Sequence, residues 1–338
     1  MRTSRIVEEG AGYYHIVSRV VDRRRVFDDH EKERFRDLMR AVSEFSDVKI
    51  LTWCCMENHI HLLMHVPECQ EVGDAEFLRR LACLYDGVIV GQARAYLVTQ
   101  RKEGHDKQAE EFKREYTYRM YDLGEFMKTL KQRLTMSYNK RHGRKGTLWE
   151  ERFKSTLVEG TPGTLMRMAA YIDLNPVRAG LVKDPKDYRY SGYGEAMGGS
   201  QRARTGIMAL MDEGVKREGW WSAAARYRQL LYVSGERRGV QENGRRVKPG
   251  FAPEVVTQVV DQKGTLPLTA ILRCRIRYFT DGAILGSRMF VEGAFLRHRA
   301  HFGAKRETGA RPMKGADYGD LFTARHLRVD VVSAPVPA

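Results

Sequence analysis

Cysteine is scarce in this chain of 338 residues. The five present, Cys54, Cys55, Cys69, Cys83 and Cys274, are odd in number and form no Cys-x-x-Cys pair, which leaves neither a disulfide framework nor a zinc ribbon. Long apolar runs are also missing. No stretch approaches the roughly 18 apolar residues that span a bilayer, and the N-terminus has no signal-peptide apolar region, so a cytoplasmic protein with no membrane partner is expected. No Walker-type phosphate loop occurs, which removes a helicase-type motor. Negative charge is in deficit: Asp plus Glu number 43 against 58 Lys plus Arg, for a net charge of +15. That surplus favours a polyanionic partner, with counterion release supplying much of the affinity, although ribosomal and membrane-surface proteins carry similar surpluses.

What is present concentrates in two places. The first is Met56-Glu57-Asn58-His59-Ile60-His61-Leu62-Leu63-Met64. A strand repeats every two residues, so His59 and His61 point to one face and can share a cation, while Ile60 turns to the core. His65 has the same parity but lies toward the strand's exposed end. Lys49 to Met56 reads as the partner strand, with Glu57-Asn58 as a tight turn. The second place is Tyr171-Ile172-Asp173-Leu174-Asn175-Pro176. On a helix Tyr171 and Asn175 are four apart and share a face. Asn before Pro also ends helices, and its side chain can simply cap backbone groups.

The spacing predicts a strand from Tyr13 to Val20, then a helix over about 30–45 with Phe35, Leu38, Met39, Val42 and Phe45 at helical intervals. The two strands around the histidines follow. A helix over about 124–142, a strand over 146–158 and a helix over 164–181 complete the pattern. This β-α-β-β-α-β order is ferredoxin-like: an α+β fold with one antiparallel sheet and helices on one face. Phe77 to Leu97 has helical periodicity, and 100–119 is dense in charge, which reads as a solvated helical insertion over about 70–121.

Four blocks in order carry a resemblance: Gly12-Tyr13-Tyr14-His15-Ile16-Val17-Ser18-Arg19, Asn58-His59-Ile60-His61-Leu62-Leu63, the segment Lys145 to Ser155 around Gly146-Thr147-Leu148-Trp149, and Tyr171 to Val182. Over roughly the first 195 residues the chain resembles the single-tyrosine HUH transposases associated with repetitive extragenic palindromes. The family usually has proline where Glu57 stands. The resemblance implies the ferredoxin-like fold for 1–195. It also implies a metal-dependent reaction on single-stranded DNA beside a palindromic hairpin, with Tyr171 as nucleophile and a 5′-phosphotyrosine intermediate. His59, His61 and the Asn175 oxygen would ligate a divalent metal. Two imidazoles lean the set toward Mn²⁺ or Zn²⁺ and the resemblance leans it toward Mg²⁺. Tyr138 competes with Tyr171 as nucleophile, while Tyr188, Tyr190 and Tyr193 follow in an expected loop. Alternatives with the same residues are a catalytically silent DNA-binding regulator and a replication or mobilisation initiator. The protein is expected as a monomer or a homodimer.

Lys128, Lys131, Arg133, Lys140, Arg141, Arg144 and Lys145 crowd one helix and its following turn, a place for phosphates of a hairpin. Tyr138 and Trp149 offer flat surfaces for unpaired bases, with core packing as the alternative for Trp149. Arg152 and Lys154 alternate with Phe153 and are expected to face away from the core. After about residue 194 the blocks stop, and 195–205 reads as a boundary. A mainly helical accessory region over 206–310 follows, in which Leu268 to Phe279, a turn at Asp281-Gly282 and a helix from Ser287 suggest a helix-turn-helix. Residues 311–338 read as a tail, disordered over its last dozen residues.

Overall fold

In a computed structural model the chain is described over residues 2–3, 5–232, 277–313, 318–327 and 329–330. Gly12–Arg19 forms strand β1, Asp29–Ser46 helix α1, Lys49–Cys55 strand β2 and His59–Val66 strand β3. Leu123–Arg141 forms helix α5 and Lys154–Val158 strand β4. Their sheet order is β2-β3-β1-β4, with every neighbour antiparallel. That is the ferredoxin-like arrangement expected from the sequence. Asp28 and Asp122 start α1 and α5 by accepting the backbone N–H three residues on, a cap that satisfies an otherwise orphaned donor.

Register sorts the strand residues onto two faces, because cross-strand partners share one. Tyr14, Ile16, Ile60, Leu62 and Trp53 face α1 and α5; Phe35 of α1 lies 5.8 Å from the Trp53 ring. His15, Val17, His59, His61, Leu63, Thr52 and Cys54 face the other way. A bulge at Leu51 resets β2 so that Thr52 joins the histidine face. This second face is covered too, which corrects the expectation of helices on one face only. Pro162–Asp173, helix α6, lies against β2 and β3. The physical reason is that Leu63, Cys54 and Val17 make that face apolar as well, so it needs a cover.

The insertion folds as α2 (Asp74–Leu81), α3 (Gly87–Lys102) and α4 (Asp106–Thr117). Much of its charge is internally paired: Arg101 holds Asp74 at 2.9 Å and Asp106 at 2.7 Å, and Lys113 holds Asp74 at 3.0 Å. The helix carrying Tyr171 is shorter than the spacing suggested. It stops at Leu174, and Asn175–Arg178 forms a separate turn, α7, because Pro176 cannot continue the hydrogen-bond ladder.

Past residue 190 the chain departs from expectation. Gly192–Met197 (α8), Gln201–Ala209 (α9), Glu213–Glu218 (α10) and Trp220–Tyr232 (α11) are helical, and α8 and α9 pack on β2. The stretch read as a boundary is thus a docked helical hairpin. Gly206 makes this docking possible: a Cβ there would lie 2.5 Å from the Leu51 carbonyl oxygen. Arg277–Asp281 (α12) leads into Ile284–Gly286 (β5), and Arg288–Arg297 (α13) follows. A strand therefore separates the two helices where a helix-turn-helix was expected; the first part of that motif, residues 268–276, lies outside the described residues, as do Cys274, the 234–250 linker and the last eight residues. Strand β5 pairs in parallel with β4, and Arg311–Pro312 (β6) and Phe322–Ala324 (β7) extend the sheet to β2-β3-β1-β4-β5-β7-β6. Part of the segment read as a tail is thereby built into the sheet. Glu159 ties the junction, accepting from the Ser287 N–H and hydroxyl, both at 2.7 Å.

Candidate active site

The hairpin turn at Glu57-Asn58 is closed by the Met56 N–H donating to the His59 carbonyl at 2.9 Å, so β3 begins with His59. His59 and His61 then rise from one face with ring centroids 5.1 Å apart and nearly edge-on. Asn58 Oδ1 lies 2.7 Å from His59 Nδ1. Glu57, the departure from the family pattern, directs its carboxylate to Arg25 at 3.2 Å.

Helix α6 brings Tyr171 over His61. Its ring lies 6.3 Å from His61 and, edge-on, 6.2 Å from His15. The third histidine was not singled out from the sequence, though its parity on β1, opposite Leu63 and next but one to Val17, places it on the same face. His15 Nε2 lies 2.9 Å from His61 Nδ1, and His15 Nδ1 lies 2.8 Å from the Phe279 carbonyl oxygen. Burial holds the His15 imidazolium off, lowering its pKa to about 4, and burial with the neighbouring His59 and His15 likewise holds His61 well below the ordinary imidazole range. Arg178 was also missed. Its guanidinium sits 4.1 Å from the Tyr171 ring centroid and donates to the Tyr171 carbonyl at 2.7 Å, capping the end of α6. Phe279 stands perpendicular to Tyr171 at 5.1 Å. Tyr171 is only 2% exposed and His61 3%.

Asn175 donates through its amide nitrogen to the Ile172 carbonyl at 3.1 Å, the helix-ending role left open by the sequence. Its oxygen is not the end used there. Among the described residues no three His, Cys, Asp or Glu side chains converge as a metal site. The expected set of two imidazoles, with His59 and His61 neighbours, and the Asn175 oxygen is a different one, whose nitrogen donors lean toward Mn²⁺ or Zn²⁺.

Beneath the tyrosine, Asp173 is fully buried and faces β2. It accepts from Thr52 Oγ1 at 3.0 Å, the Tyr193 N–H at 3.1 Å and the Tyr227 hydroxyl at 2.7 Å. Burial pushes its pKa up to about 7. Tyr193 and Tyr227 come from α8 and α11, so the helices past residue 190 brace the helix that carries Tyr171. Tyr188 and Tyr190 lie in the connection before α8, as expected, and are buried there, with the Tyr188 hydroxyl donating to the Cys55 carbonyl at 2.7 Å; of the three tyrosines only Tyr193 is helical.

The basic residues of α5 are not brought to this cluster, since α5 packs with α1 on the opposite sheet face. Lys128, Lys131, Trp149 and Arg152 instead line an open groove of about 880 Å³ together with Arg5. Lys131 donates to the Glu151 carbonyl at 2.9 Å, and burial with the neighbouring Arg5 and Arg152 charges lowers its pKa to about 8. Arg5 lies 3.7 Å over the Phe153 ring. Trp149 is buried, its indole N–H donating to Thr135 Oγ1 at 3.1 Å, so core packing describes it and not an open platform for bases. Tyr138 stacks on His142 at 4.2 Å. Lys140 and Lys145 are exposed, Arg141 pairs with Glu31 at 2.9 Å and Arg144 donates to the Thr147 carbonyl at 3.2 Å. Lys154 pairs with Glu151 at 3.2 Å.

Residues 10–77 match the transposase IS200-like family. The match runs from β1 into α2, and so contains His15, His59 and His61 and ends before Tyr171. The resemblance drawn from the sequence blocks is borne out over that stretch. A solved structure described as a REP-associated tyrosine transposase bound to a REP hairpin is similar at 16% identity, covering 60% of this chain and 90% of that one with a TM-score of 0.38. No curated protein sequence matches the chain. No described helix is long and apolar enough to cross a membrane.

Proposed function

We propose that this chain, whose residues 10–77 match the IS200-like transposase family, nicks single-stranded DNA beside a palindromic hairpin and rejoins it through a 5′-phosphotyrosine on Tyr171. The observation that carries the reading is the meeting of Tyr171 with His61, itself beside His59 on one sheet face, from segments more than a hundred residues apart. The Tyr171 hydroxyl oxygen forms a bond to phosphorus as the P–O3′ bond breaks, leaving a 3′-hydroxyl that takes a proton; the phenol proton passes to solvent. Reversal with another 3′-hydroxyl joins strands without ATP, because the phosphotyrosine retains the phosphodiester energy. His59, His61 and the Asn175 oxygen would hold a divalent metal, Mg²⁺ or Mn²⁺, which when bound supplies Lewis-acid polarisation and alignment of the scissile phosphate. Arg178 places a positive charge against the attacking ring. Arg5, Lys128, Lys131 and Arg152 would follow the DNA backbone along their groove, where a phosphate would relieve the mutual repulsion of Arg5, Lys131 and Arg152. Lys140, Arg141, Arg144 and Lys145 would continue that track around the end of α5, with Tyr138 beside them.

A second reading, a silent DNA-binding regulator, is favoured by the near-complete burial of Tyr171, against Phe279, and of His61. One experiment separates the two. Purified protein is incubated with labelled single-stranded hairpins from palindromes near its own gene and Mg²⁺ or Mn²⁺, then run on denaturing gels. A covalent adduct lost in Tyr171→Phe and kept in Tyr138→Phe is expected. Hairpin binding with no adduct in either metal would replace the enzyme by the regulator.

A further inference from the structure

We infer that His15 is a positioning residue that fixes which nitrogen of His61 is presented to a cation, through a hydrogen-bond relay ending on the backbone of α12. The inference rests on the reading of His61 as a metal ligand. A carbonyl oxygen only accepts, so His15 Nδ1, 2.8 Å from the Phe279 carbonyl, must carry its hydrogen. A neutral imidazole has one N–H, which leaves His15 Nε2 as a lone pair. His61 Nδ1 lies 2.9 Å from that lone pair and must therefore be the donor. What remains on His61 is Nε2 with its lone pair, the form a metal requires. Both rings are buried, which keeps them neutral, and they lie within 7° of parallel, so the relay also sets the plane of the His61 ring.

Ligating histidines are commonly oriented through their second nitrogen by a carboxylate or a carbonyl. Here the orienting group is another imidazole, and the terminal acceptor arrives from a segment 264 residues further along the chain. Deleting the His15 ring would let His61 take its other tautomer, with a hydrogen on Nε2, and turn about its side-chain bonds. Glutamine at position 15 would keep the polarity, since its amide nitrogen can donate to Phe279 and its oxygen can accept from His61.

The test begins with the full-length, metal-free protein carrying ¹⁵N-labelled histidine. Long-range ¹H–¹⁵N correlation spectra report which nitrogen of each ring is protonated, with His15→Gln and His61→Ala assigning the signals. Protonated Nδ1 on both His15 and His61 is expected; a proton on His61 Nε2 overturns the inference. Mn²⁺ binding is then measured by calorimetry. His15→Phe should weaken it by about 10- to 100-fold while His15→Gln stays within a few-fold of the parent. Equal affinity in all three proteins also overturns the inference. Should His15→Phe fail to fold, the tautomer spectrum of the unmutated protein and the His15→Gln titration still decide. Assigned tautomers without Mn²⁺ binding would sink the metal reading and leave the relay standing, whereas Mn²⁺ binding with His61 protonated at Nε2 would do the reverse.

Discussion

Tyr227→Phe tests whether the helices past residue 190 hold the tyrosine-bearing helix through Asp173. The phenol is fully buried and donates to Asp173 Oδ2 at 2.7 Å, while its ring packs 5.6 Å from Tyr193. Replacing it by Phe keeps the ring contact and removes one of the donors to a buried carboxyl. A hydrogen bond to an ionised group is worth about 1.5–3 kcal/mol and a neutral one about 1 kcal/mol. Because burial raises the Asp173 pKa to about 7, pH selects between the two cases. The cost should be near 1 kcal/mol at about pH 5, where the carboxyl is protonated, and about 1.5–3 kcal/mol at about pH 9, where it is ionised. Urea unfolding at both pH values, followed by tryptophan fluorescence and compared at matched m values, measures it. A cost below about 0.5 kcal/mol at both, or a larger cost on the acid side, would refute the reasoning.

Three further outcomes follow from the same structure. The folded-state pKa of Asp173, about 7, lies above its unfolded value of 3.8. Its burial therefore opposes folding only when ionised: the penalty is absent below about pH 4, grows as pH rises to about 7 and is complete above that. Asp173→Asn should gain stability relative to the parent across that window by up to roughly 4 kcal/mol, and a pH-independent difference in unfolding free energy would contradict this. Gly206→Ala places a Cβ 2.5 Å from the Leu51 carbonyl oxygen and 2.9 Å from that of Ile50. It should cost about 1–3 kcal/mol by thermal unfolding, and no loss would mean that α9 is not docked on β2. The double variant Lys131→Ala, Arg152→Ala should weaken hairpin binding and reduce its salt dependence by roughly one unit of slope per lost phosphate contact. Fluorescence anisotropy against salt concentration reads it, and an unchanged slope removes the groove from the DNA path.

The topology of the first 190 or so residues was legible because its signals are local. Alternation marks β1 and β3, helical spacing marks α1 and α5, and the Glu57-Asn58 turn sets the hairpin, so the convergence of His59 and His61 needed no tertiary information. Residues whose roles depend on what arrives from elsewhere were not legible. His15 has the right parity on β1, but its partner at the far nitrogen is a carbonyl 264 residues away. Asp173 looks like one more polar residue in Tyr171-Ile172-Asp173 until Thr52, Tyr193 and Tyr227 close around it. The boundary at 195–205 misled because glycine and small residues mark both loops and close packing. Gly194 and Gly206, which flank that stretch, serve the second purpose.

The sequence by itself determined the ferredoxin-like order of elements, the shared face of the two histidines and the tyrosine a turn ahead of Asn175-Pro176. Those follow from backbone periodicity and from proline's missing N–H, properties of neighbouring residues. Only the tertiary structure decided that both sheet faces are covered, that Trp149 is sealed against α5 and the basic groove lies on the face opposite the tyrosine, and that a strand from past residue 280 extends the sheet. Each depends on which surface another part of the chain removes from water, and burial of that kind is a property of the assembled fold.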